Sequence, residues 1–280
     1  MRQVHVENIS KAIAEAVIEA NTNLPGDIKD ALQGALERES LASASNCLQI
    51  ILENAQIAVC EKVALCQDTG LVAVNIELGQ EVHIVGGELE GAVNQGIRDG
   101  YQRGYLRKSV VNDPFDRINT GDNTPAIIHI HLVAGDGLHM TVFPKGAGSE
   151  NMGQLAMLKP SAGMEGVKKF ILKVVREAGG NPCPPIIVGV GVGGNMEKAA
   201  LLAKQALFRE VGQKSSRPEL AAIEEEMLVQ INAMGIGVQG LGGDTTALAV
   251  NIETYPTHIA CLPVAVSLGC HCTRRVTVDL

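Results

Sequence analysis

The chain has 280 residues, 46% of them apolar, so it is long and apolar enough to form a substantial core and is not a disordered chain. A formal net charge of −8 and a content of four Phe, three Tyr and no Trp disfavour a nucleic-acid-binding surface, which needs basic and aromatic residues. No uncharged apolar run is long enough to span a membrane, and residues 1–16 lack the apolar region of a secretory signal, so we expect a cytoplasmic protein without a membrane partner.

The first third of the sequence predicts three helices. Apolar residues recur at helical spacing between positions 12 and 20. A second helix is predicted from Asp27, as its N-cap after a Pro-Gly pair, to about Glu39, and a third from about Ser45 to Lys62. The N-terminal region is therefore expected to be helical.

Beyond this region, strands and helices alternate. The β-branched alternation of residues 71–78 predicts a strand, and a helix is predicted over 88–103. Segments 126–135 and 138–146 flank Gly135-Asp136-Gly137, which predicts an antiparallel hairpin. The remaining predicted elements are helices over 163–178, 195–209 and 218–233 and strands over 184–194, 245–254 and 258–269. The expected fold class is mixed α/β (α+β), with a helical N-terminal region followed by a mixed sheet flanked by helices, in a single domain over residues 1–280.

Cys66-Gln67-Asp68-Thr69-Gly70 is the first segment whose side chains could take part in a reaction. It places a thiol, an amide, a carboxylate and a hydroxyl at the end of an element, where functional groups commonly project. Asp-Thr-Gly is also good turn chemistry, and aspartic proteases use a pair of such segments. The other candidate, residues 243–246, lacks the glycine, and the helix-rich N-terminal region does not fit a protease of that class.

The second segment is Lys145–Met152, a Lys-Gly-Ala-Gly-Ser-Glu-Asn-Met run. Its small residues allow backbone N–H groups to approach an anion closely, and Lys145 adds a positive charge at a strand end. A flexible connection is the alternative interpretation. The density of Gly, Lys, Ser, Glu and Asn favours a site.

The third segment is Asn181-Pro182-Cys183-Pro184-Pro185, followed by a glycine-rich strand. Prolines on both sides of Cys183 exclude it from a helix or a central strand and favour a rigid loop cysteine. Gly189–Gly194 matches the G-x-G-x-x-G pattern of nucleotide-binding proteins. No strand with a terminal acidic residue follows at the required distance, so close packing of a helix on the strand is the favoured interpretation and nucleotide binding the alternative.

The fourth segment, Gly269–Arg275, contains Cys270 and Cys272 around a histidine, with two arginines behind them. Nearby cations favour the thiolate form of cysteine. His258 is predicted at the start of the preceding strand, where it is either an ordinary edge residue or a catalytic one.

The seven cysteines are odd in number, and a reducing compartment disfavours a disulfide framework. Cys47, Cys60 and Cys261 lie in predicted helices or strands and are expected to be core residues. No pair has the C-x₂₋₄-C spacing of a structural zinc site. Three loop cysteines far apart in the sequence suit an iron–sulfur cluster with one open iron, which can act as a Lewis acid. A noncatalytic iron–sulfur or zinc scaffold remains an alternative.

Taken together, Cys-Gln-Asp-Thr-Gly, Lys-Gly-Ala-Gly-Ser-Glu-Asn, Asn-Pro-Cys-Pro-Pro and Cys-His-Cys-Thr-Arg-Arg resemble the motifs of class I iron–sulfur fumarate hydratases and the related L-tartrate dehydratases. The four motifs occur in the same order, and the resemblance extends over about residues 10–275. The chain length is similar to that of the α subunit of the two-subunit form. In the single-chain form a second, C-terminal domain follows this region.

The resemblance implies that three cysteines ligate a [4Fe–4S] cluster and that other motif residues contact the substrate. In the family pattern Cys-His/Trp-Ala-x-Arg, Cys272 occupies the alanine position, which favours Cys270 over Cys272 as the ligand. The implied cluster ligands are Cys66, Cys183 and Cys270; the implied catalytic residues are Asp68 and His258; the implied substrate-binding residues are Gln67, Arg107, Gly146 and Gly148.

The activity implied by the resemblance is the reversible hydration of fumarate to (S)-malate, at a site shared with a β subunit. An arginine and backbone N–H groups suit a small dianion, and a dicarboxylate needs no aromatic wall. L-Tartrate dehydration is the alternative within the family, because nothing in these residues distinguishes a hydrogen from a hydroxyl at C3 of the substrate.

Overall fold

The computed structural model describes residues 2–280, which form two compact units. Of the described residues, the first unit contains 2–25, 54–147 and 274–280, and the second contains 26–53 and 148–273. The elements in chain order are β1 (Arg2–His5), α1 (Val6–Thr22), α2 (Gly26–Arg38), α3 (Ala42–Glu61), β2 (Leu71–Gly79), β3 (Val82–Val85), α4 (Leu89–Arg103), β4 (Ile127–Val133), β5 (Leu138–Lys145), α5 (Ala147–Glu150), β6 (Gln154–Leu158), α6 (Gly163–Ala178), β7 (Ile186–Gly193), α7 (Met196–Ala206), α8 (Pro218–Asn232), β8 (Ala247–Tyr255), β9 (Leu262–Gly269) and β10 (Val276–Asp279).

The first unit is built on a four-stranded mixed sheet with the order β10-β5-β2-β4. β2 is parallel to β4 and antiparallel to β5, and β10 pairs antiparallel with β5. β1 and β3 form a separate parallel pair. Helices α1 and α4 cover one face of the sheet, where alternate β2 residues are buried because successive strand residues point to opposite faces.

The two covering helices pack closely because α4 contains glycines at their contact. A Cβ at Gly96 would lie 2.5 Å from the backbone oxygen of Ser10, and one at Gly100 would lie 2.9 Å from that of Ala14. Both distances are shorter than real Cβ contacts, so these positions admit only glycine at this helix separation.

The predicted hairpin of segments 126–135 and 138–146 is wrong, because β2 lies between β4 and β5 in the sheet. The Asp-Gly turn forms, but its flanking carbonyls bond to the end of β2 and the residues after it. The Gly79 N–H donates to Gly137 O at 2.8 Å, and the Glu81 N–H donates to Gly135 O at 3.0 Å. The turn therefore joins two strands that are separated by a third.

The second unit contains a four-stranded mixed sheet with the order β6-β9-β7-β8. β7 is parallel to β8 and antiparallel to β9, and β6 pairs antiparallel with β9. Helices α6 and α8 cover the face that buries Val188 and Val190. Helix α7 packs on the opposite face, against Ala265 of β9, so this sheet is covered on both faces.

Packing of α7 explains the glycine-rich strand. A Cβ at Gly189 would lie 2.3 Å from the backbone oxygen of Ala203, and one at Gly191 would lie 2.1 Å from that of Ala199. At the end of the strand Gly193 has φ +97°, and a Cβ there would lie 1.9 Å from Tyr255 O. The structure accounts for these glycines by close packing, which was the favoured interpretation of the sequence.

The fold class of mixed α/β is confirmed, with two four-stranded mixed sheets where the sequence predicted one. Asp27 is not an N-cap: it lies in the first turn of α2, and its carboxylate accepts from the Val211 N–H at 2.7 Å. The strand predicted from His258 begins at Leu262. Four short strands were not predicted, namely β1, β3, β6 and β10. No helix in residues 2–280 combines the length and apolar character that crossing a membrane requires.

Candidate active site

In the first unit, two of the four motifs meet at one end of the sheet. Residues 66–70 precede β2, and residues 146–149 follow β5. Because β5 is antiparallel to β2, Lys145 at the end of β5 lies opposite Leu71 at the start of β2. The antiparallel register thus brings the first and second motifs together.

The second unit repeats this arrangement with the other two motifs. Residues 181–185 precede β7, and residues 270–273 follow β9. Gly269 at the end of β9 lies opposite Ile187 near the start of β7. The third and fourth motifs therefore also share one end of a sheet.

Asp68 is half-buried and joins the first motif to the second through its carboxylate. Its Oδ1 accepts the Gly70 N–H at 3.1 Å, and its Oδ2 accepts the Ala147 N–H at 2.8 Å. A Cβ at Gly146 would lie 3.0 Å from Asp68 Oδ2, so a side chain at that position would press against the carboxylate. Gly146, a predicted site residue, therefore makes room for Asp68.

Three consecutive carbonyls of the first motif accept hydrogen bonds from buried side chains. Arg274 Nη2 donates to Asp68 O at 2.7 Å. The Tyr101 hydroxyl lies 2.6 Å from the oxygen of the next residue, Thr69, and 3.0 Å from that of Gly70. Asn123 Nδ2 donates to the same Gly70 oxygen at 3.1 Å. These donors fix the backbone on which Asp68 is mounted.

Burial raises the pKa of Tyr101 well above its ordinary value of 10.0. The phenol consequently stays protonated near neutral pH and remains a hydrogen-bond donor. Of the three donors to this motif, Tyr101 and Asn123 are fully buried, and Arg274 is 2% exposed. The donor set is therefore shielded from competing water.

The segment around Arg107 is tied to the same loop. Thr69 Oγ1 donates to Arg107 O at 2.6 Å, and the Ser109 N–H donates to Asn123 Oδ1 at 2.7 Å. The side chains of Arg107 and Gln67 are exposed. The backbone of the Arg107 segment is thus held beside Asp68, while its guanidinium is accessible to a ligand.

In the second unit, the Cys183 and Cys270 segments adjoin through His271. Its backbone N–H donates to Cys183 O at 3.3 Å, and its ring Nδ1 lies 3.0 Å from the same oxygen. Gln239 Nε2 lies 3.0 Å from this Nδ1 and donates to Pro184 O at 2.8 Å. The two cysteine loops are therefore bonded side by side.

The other two predicted residues of this unit are Gly148 and His258. Gly148 is exposed in the short helix α5, and a Cβ there would lie at an ordinary 3.6 Å from Asn181 O. His258 is exposed in the turn before β9, where its Nδ1 accepts the Ala260 N–H at 3.2 Å. His258 therefore precedes β9, whereas Cys270 follows it, and the eight extended residues of that strand are about 26 Å long.

The three predicted cluster ligands are alike in their backbone position and exposure. Cys66, Cys183 and Cys270 all lie outside helices and strands and are exposed or half-buried. Cys272, by contrast, is 4% exposed. Loop-borne, accessible thiols are the donor chemistry that an iron–sulfur cluster requires, so the residues present fit the group. Within residues 2–280, no three His, Cys, Asp or Glu side chains are grouped as a ready metal site.

Sequence analysis missed the three donors that hold the first motif. Tyr101 and Asn123 stand outside every motif, in α4 and in the loop before β4. Arg274 stands in the fourth motif, and its position behind two cysteines was the available signal. Its contact with Asp68 joins residues 206 positions apart, which no local pattern predicts.

Comparisons with known proteins agree with the family resemblance of the sequence. The sequence model of the family described as "Fumarate hydratase (Fumerase)" matches residues 10–279. The chain is 42% identical over 275 residues to a putative L(+)-tartrate dehydratase subunit alpha from Methanocaldococcus jannaschii, covering 95% of each chain. It is 31% identical over 281 residues to the L(+)-tartrate dehydratase subunit alpha of Escherichia coli, covering 99% of this chain and 92% of the relative.

Proposed function

The chain belongs to the fumarate hydratase family and is an enzyme of the hydro-lyase class, and we propose that it is the α subunit of an iron–sulfur dicarboxylate hydratase. The single observation that supports this proposal best is the placement of Asp68. Its carboxylate is held by the backbone of two motifs, and its loop is bonded to the segment that presents Arg107. An acid/base group and a carboxylate-binding group therefore lie on one rigid backbone.

Dehydration of a hydroxy acid requires removal of a proton beside a carboxylate and departure of hydroxide. Each Asp68 oxygen accepts one backbone N–H, and each has a further lone pair with which to accept a substrate proton. The same two hydrogen bonds orient the carboxylate, so the proton is transferred at a fixed position. In the hydration direction, the proton returns from Asp68 to the substrate carbon.

Binding of the substrate falls to Arg107, Gln67 and the backbone of the second motif. A guanidinium binds a carboxylate with two parallel hydrogen bonds, and the exposed Arg107 is free to do so from a fixed backbone. We propose that Gly146 and Gly148 allow backbone N–H groups to approach the second carboxylate. The substrate class is thus a small dicarboxylate.

Cys66, Cys183 and Cys270 would hold the [4Fe–4S] cluster in this proposal. With three protein ligands, the cluster supplies a Lewis-acidic iron that assists the departing hydroxide. The accessible thiol of Cys270 suits this role better than the buried thiol of Cys272. The hydrogen bonds of His271 to Cys183 set the spacing of two of the ligand loops.

We propose fumarate and (S)-malate as the substrate pair. L(+)-Tartrate is the second candidate, and it is the substrate in the names of the two relatives. Because those relatives are named as alpha subunits, we further propose that a β subunit supplies the remaining catalytic residues. Nucleotide binding at Gly189–Gly194 is not proposed, since packing of α7 accounts for the glycines inside β7.

The experiment is anaerobic coexpression of this chain with the product of a neighbouring β-subunit gene, followed by assays on malate, fumarate and L(+)-tartrate. We expect the pair to hydrate or dehydrate one of these acids and the α chain alone to have little activity. High activity of the α chain alone would contradict the shared site. A complex that is inactive on all three acids would refute the proposal that the substrate is a small dicarboxylate.

The catalytic role of His258 rests on the family resemblance alone. Its test is His258→Asn in the same complex, with the cluster absorbance measured beside the turnover. Lower kcat with unchanged absorbance supports the role. Unchanged kcat removes His258 from the mechanism, and the rest of the proposal stands without it.

A further inference from the structure

Arg274 is a buried cation with two unused donors. It is 2% exposed, and only its Nη2 has a hydrogen-bond partner, the Asp68 carbonyl at 2.7 Å. No acceptor among residues 2–280 serves its Nε or its Nη1, although both atoms are out of contact with solvent. Burying a charged group with unmet donors costs free energy, so such groups are expected to have a partner in the working protein.

The half-buried Arg209 shows how such a charge is usually neutralised, although its Nε also has no hydrogen-bond partner among residues 2–280. Arg209 has ion pairs with the carboxylates of Glu224 and Glu253, which neutralise its charge. Arg274 bonds only to a neutral carbonyl, and the nearby Tyr101 is a protonated phenol. The nearby Asp68 carboxylate accepts from two backbone N–H groups instead. The charge of Arg274 therefore has no anionic hydrogen-bond partner among the described residues.

The position of Arg274 indicates where such an anion belongs. Its guanidinium is bonded to Asp68, two residues after Cys66, and it follows Cys270 by four residues along the chain. We propose that Nε and Nη1 of Arg274 bind an anionic atom of the active site, either a sulfur of the cluster or its ligands or a carboxylate oxygen of the substrate. This inference rests on the proposed function and adds to it a residue that neither the motifs nor the resemblance assigned.

Arg274 then has two separable tasks. Nη2 positions the Asp68 backbone, and the other two donors stabilise the anion. Lysine keeps the charge but has no planar fork, so Arg274→Lys cannot perform both tasks in the same geometry. Arg274→Met keeps a side chain of similar shape but removes every hydrogen-bond donor of the guanidinium. Tyr101→Phe is the matched control, because it loosens the same motif by removing one donor to the adjacent carbonyls and leaves Arg274 intact.

The test uses the full chain in complex with its partner, reconstituted anaerobically with iron and sulfide. The first readout is the rate at which a chelator removes iron, beside the rise in melting temperature on cluster loading. If the anion is a sulfur, R274M loses iron about tenfold faster than the parent. The melting temperature of R274M also rises less on cluster loading than that of the parent. Y101F lowers the melting temperatures of the loaded and unloaded forms equally and loses iron more slowly than R274M does.

The second readout is the dissociation constant of malate for the loaded complex. If the anion is a substrate carboxylate, R274M retains iron as the parent does and binds malate about tenfold more weakly. Y101F, which keeps both unpaired donors of Arg274, weakens malate binding less than R274M does. If R274M does not fold, R274K serves in its place, and a smaller change in the same readout supports the inference.

Iron retention and malate affinity equal to the parent in a folded R274M or R274K would overturn the inference. If the parent complex takes up no cluster, the proposed function fails separately. The inference is then decided by the melting-temperature rise that malate produces in the cluster-free complex. Loss of that rise in R274M supports it, and an equal rise in R274M, or no rise in the parent, rejects it.

Discussion

The two units of the molecule have the same strand topology but different coverings. In each, a first strand is followed by a helical connection, a parallel second strand on one side and an antiparallel third strand on the other. These strands are β2, β4 and β5 in the first unit and β7, β8 and β9 in the second. The fourth strand of each sheet comes from the chain after it has left the other unit, β10 in the first and β6 in the second.

The common topology explains where the motifs lie. In both units one motif precedes the first strand and another follows the third, and antiparallel pairing brings these two points together. The residues of the proposed site come from both units. The first contains Cys66, Asp68 and Arg107 on or beside a clamped loop, and the second contains Cys183 and Cys270 on bonded loops. In each unit the proposed site residues lie at the same end of the sheet.

The two sheets differ in how many faces are covered by helices, and the difference comes from single residues in β2 and β7. Gly189 and Gly191 leave room for the backbone of α7, so the second sheet is buried on both faces. Alternate positions of β2 hold Ala73, Asn75 and Glu77 instead, and Glu77 is exposed. For this reason every second residue of β2 is buried, whereas nearly every residue of β7 is buried.

Removal of a cysteine from the second unit has the largest expected effect. We expect Cys183→Ser to lower activity on the order of 100-fold or more and to reduce bound iron, because a ligand of the cluster is lost. The measurements are iron content and kcat/KM of the reconstituted complex. Cys60→Ser, at an exposed position of α3, is the control and keeps both values. A fully loaded and active Cys183→Ser variant would show that Cys183 is not a cluster ligand.

The corresponding change in the first unit is Asp68→Asn. We expect kcat to fall by about 10²–10⁴-fold with iron content unchanged, since an amide does not accept the substrate proton. The control is Asp136→Asn, at the exposed turn at the other end of the sheet. Retained turnover in Asp68→Asn with a full cluster would show that Asp68 is not the acid/base group.

A change in packing tests the difference in covering. We expect Gly191→Ala to lower the free energy of unfolding by about 2 kcal/mol, because its Cβ would lie 2.1 Å from a backbone oxygen of α7. Chemical denaturation measures this value. Gly91→Ala in α4 is the matched control, where the nearest contact would be an ordinary 3.9 Å, and alanine there is expected to stabilise the helix by up to about 1 kcal/mol. Equal effects at the two positions would refute the packing explanation.

The smallest expected effect concerns Asp122, in the loop that follows the Arg107 segment. Burial opposes its ionisation, but hydrogen bonds from Arg98 and Thr124 outweigh that effect and lower the pKa of Asp122 from 3.8 to about 2. A depressed folded-state pKa stabilises the protein above the ordinary value, and this contribution is lost as pH falls through 2.

We therefore expect Asp122→Asn to cost no more than about 1 kcal/mol at pH 7, since the ion pair with Arg98 is partly exposed. The difference from the parent should shrink between about pH 4 and pH 2. Denaturation at several pH values measures it. A difference that stays constant over that range would show that the carboxylate charge is not the cause.

The positions of helices and strands were predicted well from the sequence, but the pairing partners of the strands were predicted poorly. The alternation in 71–78 located β2 because burial on one face of a sheet is a local property of the strand. The hairpin prediction failed because pairing is not local: the Asp-Gly turn forms, yet β2 occupies the place between the two strands. The strands β1 and β10 have four residues each, too few for a periodic pattern.

The same distinction applies to the site. Asp68 and Gly146 were selected from motifs and Arg107 from the family resemblance, and the structure joins Asp68, Gly146 and the segment of Arg107 by hydrogen bonds or close contact. The clamp by Tyr101 and Asn123 was not predicted, because its donors are single residues whose partners lie 31 to 53 positions away. His258 was predicted at the head of a strand and lies instead in an exposed turn.

The measurement that tests the central claim most directly is metal analysis of the anaerobically reconstituted complex, with electron paramagnetic resonance of the chemically reduced complex before and after addition of malate. The account predicts about four iron and four sulfide per α chain and a signal that changes when malate binds. An active complex that contains zinc and no iron, or an iron signal indifferent to malate, would contradict it.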